Sequence, residues 1–229
     1  MFSPDELTTI ALSVRVAGVA ALASLPLAVA VGWLLARKRF PGKALLDALV
    51  HLPLVLPPVV VGYALLVTFG SQGSVGRLLD QFGLEFAFRW TGAALAAAIM
   101  GFPLMVRTIR LSIENVDRRL EQAAATLGAS PWRRFFTVTL PLAWPGLVAG
   151  AVLGFAKALG EFGATITFVS AIPGETRTLS SAIYGLMQVP GGEASIWRLA
   201  AVSVAISLAA LLASEWLVRR QRGADGEDS

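Results

Sequence analysis

The stretch LEQAAATLGASPWRRFFTVTLP, residues 120–141, has the pattern of two short helices placed between two long apolar segments. Asp117 is a favourable N-cap for the first helix. Gly128 is a typical residue for ending a helix, and Ser130-Pro131 is a typical start for the next one. The apolar residues of the first helix recur at helical spacing on one face: Leu120, Ala123, Ala124 and Leu127. The pattern predicts an amphipathic helix over about 117–128.

Small side chains on this face would let another surface approach closely. One interpretation is therefore that the helix docks into a groove of a partner protein. The other is that it packs on its own bundle or on lipid headgroups, which the flanking arginines would also suit. The residues favour the partner interpretation, because an apolar face gains no stability in contact with water but does gain stability when a partner groove buries it.

The flanking composition predicts an all-α integral membrane protein. The 229-residue chain is 55% hydrophobic and only 15% charged, whereas soluble domains usually carry about 25% charged residues. A membrane helix needs about 20 mostly apolar residues. Five stretches approach that length and predict five spans in a single domain, at about 14–36, 45–69, 91–110, 136–160 and 197–218. The tail at about 221–229 is predicted to be disordered.

Basic residues indicate the orientation of these spans. They fill the first loop, surround the amphipathic helix and follow the last span, whereas the alternate loops carry few. This distribution predicts an N-terminus outside, a cytoplasmic C-terminus and residues 111–135 inside. It also explains the net charge of +4 without nucleic acid as a partner.

Residues 161–196 do not fit a simple span. Gly163, Pro173 and Gly174 interrupt the first apolar part, and a short amphipathic pattern follows. We expect both parts on the outer side, with an extra short or re-entrant helix within 161–190 as an alternative. Such a segment is tolerated at membrane depth only where it is buried in protein or lines a cavity.

Pro57 and Pro58 lie inside the second predicted span, which cannot be a straight helix there. Either the break is a kink needed for packing, or it forms a broken helix beside a transport pathway. Further pathway or gate candidates are Lys157, Glu161, Gly163, Thr165, Thr167 and Ser170. Lys157 and Glu161 are four residues apart, so they form either an outward-pointing ion pair or part of an outer gate.

The central stretch resembles the cytoplasmic EAA loop of ABC-importer permeases, whose pattern is Glu-Ala-Ala, three residues, Gly, nine residues and Ile-x-Leu-Pro. Gly128, Leu140 and Pro141 match that spacing, and Val138 stands in the Ile position. Ala123 and Ala124 match the two alanines. Gln122 occupies the Glu position, with Glu121 one residue earlier. The resemblance implies an ATPase-coupling role for Leu120, Glu121, Gln122, Ala123, Ala124, Leu127, Gly128, Leu140 and Pro141.

The segments HLPLVLPPVVVGYALL and KALGEFGATITFVSAIPGETRTLSSAIY resemble the permeases of molybdate importers, which are related to those for tungstate and sulfate. The resemblance implies a homodimer in the cytoplasmic membrane, a cytoplasmic ATPase pair and a periplasmic or extracellular molybdate-binding protein. ATP and Mg would bind to the ATPase, and this chain would carry no cofactor or metal. Tungstate or sulfate remains an alternative substrate.

An intramembrane enzyme is the rival class. The candidate nucleophiles Ser71 and Ser74 lie in an outer loop, about 20 residues beyond His51, the one imidazole of the chain. That separation would put base and nucleophile near opposite ends of one span, so we expect no catalytic residues.

Overall fold

The computed structural model describes residues 2–83 and 85–226, with side chains up to Arg219. These residues form helices and no strand, in agreement with the predicted all-α class. The helices in chain order are α1 Pro4–Arg37, α2 Lys43–Val55, α3 Pro58–Phe69, α4 Ser74–Asp80, α5 Trp90–Asn115, α6 Arg118–Thr126, α7 Pro131–Arg134, α8 Leu140–Leu159, α9 Gly163–Val169, α10 Leu179–Leu186 and α11 Glu193–Gly226; a π-helical turn, Phe135–Thr139, joins α7 to α8.

Four helical segments of the described residues are long and apolar enough to cross a membrane. They are α1 (Pro4–Arg37), α5 (Trp90–Asn115), the continuous segment from α7 through α8 (Pro131–Leu159) and most of α11 (Glu193–Arg219). The second predicted span, at 45–69, is instead the pair α2 and α3, which is bent by 110° between Val55 and Pro58. Pro57 and Pro58 explain the break, because neither residue offers a backbone N–H to continue α2. The bundle therefore has four spans, or five if the bent pair counts as one.

The centre of the bundle is the packing of α1 against α5 and α8. Small residues dominate these contacts, including the fully buried Ala17, Ala28, Ala93 and Ala97. Such residues let membrane helices approach closely and gain van der Waals contact. At Gly154 on α8 an added Cβ would lie 2.5 Å from the Met105 sulfur on α5, so no larger residue fits there without a shift.

Two short helices fill one end of the bundle, within the segment 161–196. Phe168 and Val169 of α9 are fully buried. The buried Thr176 hydroxyl accepts from the Ile172 amide at 2.9 Å and fixes the turn that follows α9. The Leu179 amide at the start of α10 donates to Ser13 of α1 at 2.7 Å. Each helix thus buries one face against the bundle, which is what a non-spanning segment at membrane depth would require.

The last helix extends further than the sequence predicted. α11 continues to Gly226 and therefore includes the first part of the tail expected to be disordered at about 221–229. The rest of that tail, residues 227–229, lies outside the described residues.

Candidate functional site

The amphipathic helix predicted at about 117–128 is α6, and its two ends are defined by side-chain and backbone caps. The Asp117 carboxylate accepts from the Arg119 amide at 2.9 Å. At the other end Gly128 has φ +82°. Its amide donates to the Ala125 carbonyl, and the Ala129 amide donates to the Ala124 carbonyl, both at 3.0 Å. This pair of bonds is a Schellman motif, which requires a left-handed residue where Gly128 stands.

The apolar face of α6 is not covered by the other described residues of the chain. No residue of α6 is buried, and the exposed fractions of Leu120 and Leu127 are 49% and 88%. Ala123 is exposed and Ala124 is half-buried between them. The face is therefore free for a partner or for lipid headgroups.

Glu121, beside the apolar face of α6, fixes the helix to the bundle. Its Oε1 accepts from the Arg37 guanidinium at 3.0 Å and from the Thr139 hydroxyl at 2.7 Å. Arg37 also donates to the Val116 carbonyl at 2.9 Å, just before α6 begins. Gln122, which occupies the Glu position of the pattern, is exposed. Glu121, one residue earlier, therefore supplies the polar contact within this chain.

The π-helical turn before α8 positions Thr139 for that contact. The Leu140 amide donates to the Phe135 carbonyl, five residues back. Pro141 follows and has no backbone amide to donate to the Thr137 carbonyl. In a regular α-helix its ring would clash with that carbonyl oxygen, and the wider π-helical turn relieves the clash. Leu140 packs against the buried cluster around Ala143 and Leu147, whereas Pro141 is exposed.

The broken helix and α9 meet through two glycines. A Cβ on Gly163 would lie 2.7 Å from the Pro58 Cβ, and a Cβ on Gly62 would lie 2.5 Å from the Ala164 carbonyl oxygen. Both distances are too short for a real side chain, so α3 and α9 cross where neither carries one. Pro57 and Pro58 are themselves exposed. The structure thus brings Pro58 and Gly163 together, two candidates that are far apart in sequence.

Glu161 and Lys157 form an ion pair in which Glu161 is buried and Lys157 is partly exposed. The Lys157 ammonium lies 3.0 Å from Glu161 Oε2, and their side chains are 31% and 2% exposed. Glu161 Oε1 accepts from the Ala164 amide at 3.0 Å. Glu161 therefore joins the end of α8 to the first turn of α9, where a negative charge is favourable.

Two of the three hydroxyl groups proposed to line a pathway already donate their protons to backbone carbonyls at the start of α9. Thr165 donates to the Phe162 carbonyl at 2.9 Å, and Thr167 donates to the Gly163 carbonyl at 2.8 Å. Thr165 is buried, whereas Ser170 is exposed at the end of α9 with φ +62°. In this conformation an anion could receive a hydroxyl proton from Ser170 but not from the two threonines.

The sequence does not identify the two residues that hold Glu121, Arg37 and Thr139. Arg37 is one of several basic residues after the first span, and Thr139 lies at an unspecified position of the EAA pattern, between Val138 and Leu140. Glu121 is the one acidic residue between Arg119 and Arg133, but that signal does not identify a partner. Within the described residues, no three His, Cys, Asp or Glu side chains converge into a metal-binding group.

Comparison with known proteins gives consistent results. Residues 28–223 match the family described as "Binding-protein-dependent transport system inner membrane component". The chain is 60% identical to the molybdenum transport system permease protein ModB of Escherichia coli K12 over 97% of both chains. It is 58% identical to the Haemophilus influenzae protein of the same name over 95% of both chains. A bacterial alginate ABC transporter in complex with a pentasaccharide-bound periplasmic protein shares the fold, with a TM-score of 0.75 at 19% identity, over 95% of this chain and 80% of that one.

Proposed function

Because this chain belongs to the family of binding-protein-dependent transport system inner membrane components, we propose that it is the permease subunit of an ATP-driven importer that carries molybdate inward by alternating access. The substrate assignment rests on the near full-length identity of 60% to a molybdenum transport permease. A chain of this family is a transport component, so any ATP hydrolysis belongs to another subunit.

The observation that carries the coupling part of the proposal is the exposed apolar face of α6. Coupling to a separate ATPase needs a small rigid element that the ATPase can grip and that pulls on the membrane helices. α6 offers a face with exposed Leu120 and Leu127 for the grip. Glu121 would transmit movement of α6 to the membrane helices, because it connects α6 to α1 through Arg37 and to the start of α8 through Thr139. In this proposal ATP and Mg bind to the ATPase.

The partners follow from the same role. A second copy of this chain would complete the pathway, and the exposed apolar residues Val55, Val59 and Tyr63 beside the helix break are a surface that such a copy could cover. A periplasmic or extracellular molybdate-binding protein would deliver the anion at the end of the bundle that holds α9 and α10. The α3–α9 crossing would form the gate.

The orientation is also a proposal. The end of the bundle that carries α6 also carries Arg37, Lys38, Arg110 and Arg134. Loops rich in Lys and Arg remain in the cytoplasm. This supports a cytoplasmic α6, an N-terminus outside and a C-terminus inside.

The experiment is uptake into proteoliposomes that contain the permease, its ATPase and internal ATP. Radioactive molybdate should accumulate only when the binding protein is present outside. Calorimetry of the binding protein with molybdate, tungstate and sulfate identifies the anion. Accumulation of sulfate alone would overturn the substrate, whereas ATP hydrolysis that ignores the loaded binding protein would overturn the importer itself.

A further inference from the structure

A basic cup lies beside α6, at the end of the bundle where α1 finishes. It has a volume of about 200 Å³, and four cationic side chains and one carboxylate line it. The carboxylate, Glu121, is already paired with Arg37. The remaining cations come from three different helices or their ends: Lys38, Arg118 and Arg134.

These three cations lack an acidic partner within the described residues. The Nε of Arg134 is shielded from solvent and has no hydrogen-bond partner there. A shielded N–H of a guanidinium is costly to leave unpaired. The Lys38 ammonium lies over the Trp33 ring at 5.3 Å. The cup therefore has the charge and the free donors to hold an anionic group with several oxygen acceptors.

An apolar groove of about 740 Å³ adjoins the cup. The two share Trp33, Lys38, Pro131 and Phe135. The groove follows α1 from Lys38 back to Leu25, which is about 20 Å at the helical rise per residue. That length is close to the depth of one leaflet of the hydrocarbon core, which is about 15 Å for half of a typical bilayer.

We propose that the cup and the groove together form a binding site for an acidic phospholipid, whose phosphate contacts Arg134 and Arg118 and whose acyl chain lies along α1. A soluble oxyanion would use the cup but gain nothing from the groove. A zwitterionic lipid would fill the groove but bring its own cation toward the cup. The aromatic rings of Trp33 and Trp132 at the junction match the preference of Trp for the membrane interface.

The bound lipid ties α6 to the membrane, because Arg118 belongs to α6 while the groove is lined by α1, α7, the π-helical turn and α8. Basic pockets between membrane helices on the cytoplasmic side bind acidic headgroups. Assignment to the cytoplasmic leaflet rests on the proposed orientation. Binding itself rests only on the charge and shape of the site.

The test is native mass spectrometry of the delipidated full-length permease in complex with its ATPase, titrated with dioleoyl phosphatidylglycerol or dioleoyl phosphatidylcholine. We expect phosphatidylglycerol to bind about tenfold more tightly, which is the effect of one charge-assisted hydrogen bond. The double variant Arg118→Gln/Arg134→Gln should lose this preference. The matched control Arg119→Gln/Arg133→Gln changes the same charge at the adjacent positions, which do not line the cup, and should keep it.

A second pair of variants tests the groove without changing charge. Ala30→Trp fills the groove and should reduce phosphatidylglycerol binding, whereas Ala23→Trp lies on the same helix outside the groove and should not. Equal affinity for the two lipids, or equal losses in the two arginine doubles, would overturn the site. Glycerol phosphate that displaces the lipid at lipid-like affinity would show a soluble oxyanion site instead. Failure of molybdate uptake would leave these results unchanged, so the two proposals can fail separately.

Discussion

Arg37 and Glu121 are 84 positions apart in the sequence, and their side chains meet at 3.0 Å where α1 ends beside α6. The Arg37 side chain is only 7% exposed, and it also bonds the Val116 carbonyl that precedes α6. One guanidinium thus holds the last turn of a membrane span, the end of α5 and the first turns of α6. A displacement of α6 would therefore be transmitted to α1 through Arg37.

Loss of the Glu121 carboxylate should uncouple α6 from the bundle. In Glu121→Ala the nearly buried Arg37 charge loses its partner, which we expect to cost about 1–3 kcal/mol. Uptake per assembled permease should fall more than tenfold, whereas Ala125→Ser, at an exposed position of α6 outside the apolar face, should leave uptake near that of the parent. Melting temperature in detergent and ATP-driven uptake are the two measurements.

A double-mutant cycle separates the pair from other effects of either change. Arg37→Met with Glu121→Leu removes both charges and should recover stability relative to Glu121→Leu alone, because no buried charge is left unpaired. Strict additivity of the two changes would show that the contact is not energetically coupled.

The geometry of α6 could be predicted from sequence, but its attachment could not. Its caps are local: Asp117 bonds two residues away, and Gly128 closes a motif within five residues. Residue type and spacing therefore determine them. The partner of Glu121 is set by how α1, α5 and α8 pack, and no local pattern contains that information.

Gly128 should tolerate residues according to backbone preference rather than size. Its φ is +82°, yet a Cβ there would meet nothing within 4 Å. Gly128→Ala should therefore cost about 1–2 kcal/mol of strain, whereas Gly128→Asn should cost less, since Asn tolerates the left-handed region. Helix content and melting temperature of the detergent-solubilised variants compare the two. An equal or larger loss for Asn would contradict this explanation.

A charge on the apolar face of α6, or a charged side chain that obstructs the partner at Gly128 beside it, should break ATPase docking without affecting insertion. Ala124→Asp and Gly128→Asp are expected to leave the permease inserted, but to release the ATPase and abolish uptake. A helix that only contacts lipid headgroups would give the reverse pattern, with poor insertion and an intact ATPase complex. Pull-down of the ATPase together with uptake decides between them, and normal results in both assays would refute the coupling role.

Glu161 should matter more as a cap than as a charge. Glu161→Gln keeps an oxygen acceptor for the Ala164 amide and loses the ion pair to Lys157, which is exposed enough to be solvated; we expect a cost of about 1 kcal/mol or less. Glu161→Leu removes the acceptor as well, and the unpaired amide should add about 1–3 kcal/mol. Melting temperatures of the two variants make the comparison. A larger loss in Glu161→Gln would show that the charge dominates.

Cysteine labelling can test the orientation, because the native chain contains no cysteine. Ala125→Cys on α6 and Pro173→Cys after α9 are both exposed positions at opposite ends of the bundle. An impermeant maleimide added to intact cells should label position 173 and spare position 125. After the cells are opened, the reagent should label both positions. Labelling of 125 from outside would reverse the proposed topology.

The bend of the second span shows the limit of sequence reasoning most clearly. Pro57 and Pro58 predict a break, because two successive residues lack the amide that an α-helix needs. The angle of 110° has another origin: α3 lies against α9, and Gly62 and Gly163 allow that close crossing. Each glycine alone resembles the many others found in membrane helices. Their pairing becomes visible only in the folded chain.

The α3–α9 crossing should therefore be the most sensitive part of the proposed gate. A Cβ on Gly62 would lie 2.5 Å from a backbone oxygen and 2.9 Å from the Thr167 Cβ, so α3 and α9 must separate to accept it. We expect Gly62→Ala to cost about 1–3 kcal/mol and to reduce uptake strongly. Gly18→Ala, with nothing within 4 Å of its Cβ, is the matched control in another membrane helix and should behave like the parent.

The prolines test whether the same crossing serves transport or only packing. Replacing Pro57 and Pro58 by Ala restores two backbone amides and should favour a straighter α2–α3, which pulls Pro58 away from Gly163. If the crossing is a gate, uptake falls while the amount of assembled permease with its ATPase stays constant. If the break serves packing alone, assembly and melting temperature fall first, and the permease that still assembles transports at the parental rate. Size-exclusion chromatography with uptake normalised to the assembled complex distinguishes these outcomes, because a gate changes the rate per complex and a packing defect changes the number of complexes.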